Sequence, residues 1–197
     1  MRHRIFIAIN LPEKIKNNLS SHQKEIESAF SYFGENFHPI RWVKKDNLHI
    51  TLEFLGHLKE EEMEKIEKIL SEISQYFPIF KIKLTEICYT PEKEKIPRMI
   101  WVKGERSDIL SEIKKELDKK LKERISFKPE KREFTPHITL GRIRKWEFKA
   151  IPLDERPSLE ESIDLEFIVK SLDLMESKLR RIGPEYKILN SFMLSQK

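Results

Sequence analysis

The chain writes the same four residues twice. His49-Ile50-Thr51-Leu52 returns as His137-Ile138-Thr139-Leu140, 88 positions later (137 − 49) in a sequence of 197 residues. That spacing is a little under half the chain. A solenoid would need several short copies instead. The repeat points to two similar α/β halves related by an approximate two-fold, each donating one central strand.

Periodicity around the copies agrees with this. Residues 3–9 alternate, with Ile5, Ile7 and Ile9 on one side and Phe6 and Ala8 on the other, which predicts a strand. Pro12 suits a first helical position, and Ile15, Leu19, Ile26 and Phe30 form one helical face to about residue 30. A loop through Gly34 and Pro39 leads to a short strand at 41–43, then to the first copy on a strand at 48–55. Met63, Ile66, Ile69, Leu70 and Ile73 mark a helix over 60–76, and strands are expected at 79–88 and 98–103. Ser107 or Asp108 caps a third helix, striped by Ile109, Ile113, Leu117 and Leu121. The second copy lies on a strand at 134–143. With Pro152 and Pro157, 144–162 reads as a loop or excursion, and strands at 164–176 and 185–194 close the chain.

In a strand, residues i and i+2 share a face. Leu48, Ile50, Leu52 and Phe54 then point one way, and His49, Thr51 and Glu53 the other. In the second copy Pro136, Ile138 and Leu140 oppose His137 and Thr139. If symmetry joins the two polar faces, two imidazoles and two hydroxyls line one groove. One neutral imidazole takes a proton from an attacking water or hydroxyl, and the other, as imidazolium, gives one to the leaving oxygen. Histidine does both near neutrality because its ordinary pKa is about 6.5. The threonine hydroxyls hydrogen-bond the non-bridging oxygens as charge moves onto them. The set suits phosphodiester chemistry. Gly141 falls on the groove face and adds no bulk there. Arg142 offers guanidinium donors to a phosphate, but strict alternation puts it on the opposite face, so it needs a bend. The near symmetry leaves acid and base unassigned.

Other chemistries lack their residues. There is one cysteine, Cys88, and no CxxC or Cys/His cluster, which excludes a disulfide framework and a structural zinc site. No HExxH, Gly-x-Ser-x-Gly or glycine-rich phosphate loop occurs, so neither a metal nor a cofactor is expected. His3, His22, His38 and His57 are expected at the surface. No apolar run approaches the roughly 20 residues of a membrane span, and the apolar run of MRHRIFIAINLPEK is too short for a secretory signal. The expectation is a cytoplasmic protein, with monomer as the default because no heptad seam is present. Lys and Arg outnumber Asp and Glu by 38 to 33, and the pI of about 9.1 mildly favours a polyanionic partner.

Several stretches carry a family resemblance. Arg4-Ile5-Phe6-Ile7-Ala8-Ile9, Asn47 to Gly56, Arg98-Met99-Ile100-Trp101 and Pro136-His137-Ile138-Thr139-Leu140-Gly141-Arg142 resemble strands of the 2H phosphoesterase superfamily. Within it, the chain is similar to the RNA 2′,3′-cyclic phosphodiesterases, also called 2′-5′ RNA ligases. Ser177, Pro184 and Tyr186 resemble that family's C-terminal hairpin. The resemblance implies an α+β, LigT-like fold. Two pseudo-symmetric lobes with antiparallel-rich sheets surround a central groove, helices lie outside, and residues 1–197 form one bilobal domain. It implies no metal and no cofactor. It implies RNA ends bearing a 2′,3′-cyclic phosphate as substrate, opened by water to a 2′-phosphate as the 3′ oxygen leaves.

Carried across, His49 is the general acid that protonates O3′ and His137 the general base. Thr51, Thr139 and Arg142 hold the phosphate. Phe6 either reaches the groove or packs in the core's other layer. Arg98 either contacts an RNA phosphate or is a surface charge. Trp42 and Trp101 are candidates for stacking on a base, with core packing favoured for Trp101. The 144–162 segment is a candidate groove wall. Competing readings are 2′-5′ RNA ligation, cleavage of 2′-5′ linkages, hydrolysis of an ADP-ribose cyclic phosphate, and a non-catalytic RNA-binding module.

Overall fold

The computed structural model describes residues 2–34, 36–92, 94–125, 127–129, 134–181 and 183–196. It builds one strand–helix–strand unit twice. In the first, β1 (His3–Asn10) leads into α1 (Glu13–Ala29), a short β2 (Ile40–Trp42) and the first motif strand, β3 (His49–Leu58). After α2 (Glu60–Tyr76) and β4 (Phe80–Thr90), the second unit runs β5 (Met99–Gly104), α3 (Asp108–Arg124) and the second motif strand, β6 (His137–Ile143). The helices α1 and α3 have 17 residues each. Ser107 caps α3, its hydroxyl accepting from the Leu110 amide at 3.3 Å.

The remaining elements are α4 (Lys145–Ala150), β7 (Glu160–Val169), β8 (Ser171–Arg180) and β9 (Gly183–Met193). The strands form a sheet of order β7-β4-β5-β6-β3-β1-β8-β9, with β2 added beside β6. All of these pairs are antiparallel. Read outward from the centre, each half is a motif strand, then the first strand of its own unit, then two more. The halves meet where Ile50 of β3 faces Ile138 of β6.

Each unit lends its helix to the other unit's motif strand. From α1, Gln23 Nε2 donates to the carbonyls of Val43 and Leu140, both at 2.9 Å. From α3, Lys114 bonds Glu53 on β3. The helix α2 packs against α3, β8 and β9. One continuous apolar core spans both halves and takes Ile5, Ile7 and Ile9 from β1. Phe6 and Ala8, on the opposite face of β1, belong to a smaller cluster with Met175 and Tyr186.

Two sequence expectations change. The strand expected at 164–176 is two strands separated at Lys170. β7 extends one half of the sheet beside β4, and β8 joins the other half between β1 and β9. The burial pattern changes there, from the alternation of an edge strand to the continuous burial of an inner one. The 144–162 segment is not a plain loop. It contains α4, whose Phe148 packs on Phe30 and Tyr89, and it reaches into β7.

Candidate active site

Both copies of the motif fold with the same irregularity. In β3, Thr51 pairs with Ala8 and Glu53 with Ile7, so Leu52 is the extra residue of a β-bulge. In β6, Thr139 pairs with Trp101 and Gly141 with Ile100, so Leu140 is the extra residue. The leucine of each His-Ile-Thr-Leu repeat therefore inserts at the same place. A bulge shifts the two-residue side-chain period by one, and this overturns three alternation-based placements. Glu53 does not share the face of His49 and Thr51: it is buried and bonds Lys114 of α3. Phe54 is not packed away: it is 65% exposed and lines the cavity between the halves. Gly141 does not open onto the groove, because a Cβ there would lie 2.6 Å from Ile40 Cγ2 and 3.0 Å from Trp42 Cε3. The bend that Arg142 requires is the Leu140 bulge, and Arg142 lines the cavity with His137 and Thr139.

The cavity has a volume of about 500 Å³. His49, Thr51, His137, Thr139 and Arg142 all line it. Counting out from the Ile50–Ile138 pair in antiparallel sense sets His49 opposite Thr139 and Thr51 opposite His137. The imidazoles are oriented alike. His49 Nδ1 lies 2.7 Å from the Asn47 carbonyl, and His137 Nδ1 lies 2.8 Å from the Thr135 carbonyl. A carbonyl can only accept, so Nδ1 carries the proton in both rings and Nε2 is the nitrogen able to take up a proton. The Thr51 hydroxyl donates to His49 Nε2 at 2.9 Å. Asn47 is itself tied down, its Nδ2 donating to the Pro184 carbonyl at 2.9 Å.

The surroundings of the two rings differ. His49 has Phe6 at 5.1 Å and Tyr186 at 5.2 Å, the latter edge-on at 86°. Burial pulls the His49 pKa down from 6.5 to about 4. The Asn47 carbonyl opposes that shift, while the positive charge of Lys16 and His137 adds to it. His137 instead lies on the indole of Trp101, with centroids 3.7 Å apart and planes 23° apart. Trp101 is therefore neither a base platform in the cavity lining nor a member of the main core. It lies under one of the two histidines, and its buried Nε1 has no hydrogen-bond partner among the described residues.

The other candidates divide. Phe6 is on the cavity face but only 2% exposed, so it supports His49 and Tyr186 more than it meets a ligand. Trp42 lines the cavity. Arg98 is not among the lining residues, and its guanidinium makes a two-point pair with Glu94, at 2.5 and 3.2 Å. No residue of 144–162 lines the cavity. Its Pro157 carbonyl accepts from the Tyr89 hydroxyl at 3.1 Å, beside a separate surface cleft. Ser177, Pro184 and Tyr186 of the C-terminal hairpin do line it. Sequence reasoning missed Arg4, Arg41 and Lys44, which make the described rim basic, with no carboxylate among the lining residues. Their signal was present only as the chain's overall positive balance.

Comparison with known proteins agrees with this geometry. The model of the family described as LigT like Phosphoesterase matches residues 9–101 and again 102–186. A Methanocaldococcus jannaschii protein named RNA 2′,3′-cyclic phosphodiesterase is 36% identical over 190 residues, covering 96% of this chain and 99% of its own length. A Thermotoga maritima protein of the same name is 31% identical over 192 residues, covering 94% and 92%. A crystal structure from Thermus thermophilus superposes with a TM-score of 0.79 at 27% identity, over 98% of each chain. Escherichia coli LigT complexed with 3′-AMP superposes with a TM-score of 0.71 at 25% identity, over 100% of each. With both halves matched and relatives covered nearly end to end, the chain belongs to the LigT-like phosphoesterases.

Proposed function

We propose that this protein hydrolyses RNA 2′,3′-cyclic phosphate ends to 2′-phosphates by acid/base catalysis between two histidines. The observation that carries the reading is the duplicated His-x-Thr strand, bulged at the same leucine and converging on one basic cavity. The names of the M. jannaschii and T. maritima relatives support the substrate.

In this reading water attacks phosphorus and its proton passes to His137 Nε2. The P–O3′ bond breaks, and O3′ leaves with a proton from His49 Nε2. Thr51, Thr139 and Arg142 hold the non-bridging oxygens, where charge grows. The two ring environments suit the two tasks. Burial makes the His49 imidazolium a strong acid, and an anionic phosphodiester beside Nε2 supplies the opposite charge that lets the ring be protonated on substrate binding. The rings need carry no metal to do this, since proton transfer and hydrogen bonding account for each step.

The test is product analysis. An oligoribonucleotide ending in 2′,3′-cyclic phosphate, incubated with the protein in EDTA, should be converted to a 2′-phosphate end. Joining to a 5′-hydroxyl strand as the main outcome would favour the ligase reading. Binding with unchanged ends would favour a non-catalytic RNA module.

A further inference from the structure

We infer that Trp101 is a positioning residue for His137: its indole face fixes the plane of that imidazole and favours the cation the ring becomes on taking a proton. The inference rests on the two-histidine reading above. Its basis is the stack itself, 3.7 Å between centroids with 23° between planes, on a residue that β5 sets directly opposite Thr139.

The site's charges make such a support useful. His137 has basic groups around it on several elements. Lys103 lies across from it on β5, held by Glu86 and Glu92. His49 is on β3, Arg41 and Lys44 are on and after β2, Arg4 is on β1, and Arg142 is on its own strand. The arginines and lysines oppose a further positive charge, while Glu86 and Glu92 around Lys103 favour it. The Thr135 carbonyl at 2.8 Å and the indole face favour it. An aromatic face attracts a cation by its quadrupole, whereas an edge does not. His49 and Tyr186 are instead perpendicular, at 86°. One histidine of a nearly symmetric pair thus lies flat on a ring face and the other stands perpendicular to its neighbouring ring. The asymmetry that the repeated motif lacks is supplied by Trp101 on one side and Tyr186 on the other.

The indole nitrogen does not set the ring's position. Trp101 is part-buried on the sheet, and its Nε1 has no hydrogen-bond partner among the described residues. Among the described residues no hydrogen bond accounts for its placement, and one flat face lies on the imidazole.

The experiment is the NMR titration of the His137 ring and the steady-state kinetics in W101L, W101F and protein carrying fluorinated tryptophan at position 101. Fluorine withdraws density from the ring face with little change of shape. We expect W101L to move the His137 titration down by about half a unit or more, and to lower kcat roughly ten-fold with KM little changed. W101F should recover part of both, and added fluorines should lower the titration stepwise. A His137 titration indifferent to fluorination, or a W101L protein with wild-type kcat, overturns the inference. If W101L does not fold, the fluorinated protein decides alone. H137A separates the two claims. If it retains turnover, the catalytic reading has failed; if it is inactive while the fluorine series is flat, only the role of Trp101 has failed.

Discussion

Ile50 and Ile138 face each other in the ladder where the two halves of the sheet meet, and each is flanked by the histidine and threonine of its own motif. Both are fully buried. Packing these isoleucines back to back turns the neighbouring polar side chains to the same side, so the cavity follows from how the core closes. The bulges at Leu52 and Leu140 then bring Phe54 and Arg142 to that side as well.

The acid/base order has a chemical test. A substrate with sulfur in place of O3′ leaves as a thiolate and needs no protonation. The loss of rate in H49A should be largely restored by this substrate, and the loss in H137A should not. Restoration in H137A instead would reverse the two roles.

Phe54 should matter to RNA and not to folding. Its ring is 65% exposed in a basic cavity, and a base stacked on an aromatic contributes about 1–3 kcal/mol. F54A should raise KM for an RNA end roughly ten-fold, leave kcat nearly unchanged, and shift stability by less than about 0.5 kcal/mol. Kinetics beside a urea melt checks both parts. An unchanged KM removes Phe54 from substrate binding.

Stability should carry two opposing pH terms. Burial holds the His49 pKa at about 4, below its ordinary 6.5. As pH falls through that window the unfolded chain takes a proton first, so His49 withdraws stability there and contributes nothing above it, up to a ceiling of about 3 kcal/mol. Glu53 acts in the other direction. Burial, then its hydrogen bond with Asp118, raise its carboxyl from 4.5 to about 7 against the pull of Lys114, so the folded state keeps a proton the unfolded chain has lost. That stability is present at low pH and is lost as pH rises through about 7. H49Q should therefore gain more stability than the wild type between about pH 7.5 and about pH 5, and E53Q less. Urea unfolding at the two pH values tests this, and parallel curves for all three proteins would contradict it.

The tie between α3 and the first motif strand is breakable. Lys114 bonds both Glu53 and Asp118, with its side chain 12% exposed and that of Glu53 8%. K114M leaves two carboxyl groups facing each other in a largely buried place, at a cost of roughly 3 kcal/mol. On the other motif strand, G141A forces a methyl against Ile40 and Trp42, costing about 1–3 kcal/mol. Melting curves read both. A neutral G141A would mean that β2 yields easily at Ile40.

Much of this was legible in the sequence, and the parts that were not have physical reasons. The repeat, the helices over 13–29, 60–76 and 108–124, and the isoleucine stripe of β1 follow from period and capping. The facing of Glu53, Phe54 and Gly141 was not legible, because strict alternation holds only in an unbroken ladder and a bulge carries no fixed sequence mark. The break at Lys170 was hidden because 164–176 reads as a single extended run, while its two parts pair with different halves. The stack of Trp101 on His137 joins residues from different strands, so neither periodicity nor motif spacing contains it. The rim cations Arg4, Arg41 and Lys44 were submerged among 38 Lys and Arg residues, and only the pairing of β1 with β3 and of β2 with β6 gathers them.

The most direct measurement is the rate at which wild-type, H49A and H137A proteins open a 2′,3′-cyclic-phosphate RNA end in EDTA, with each variant first shown to be folded. The account predicts 2′-phosphate product from the wild type, and losses of roughly 10²–10⁴-fold or more in each variant. Wild-type turnover in either folded variant would contradict it.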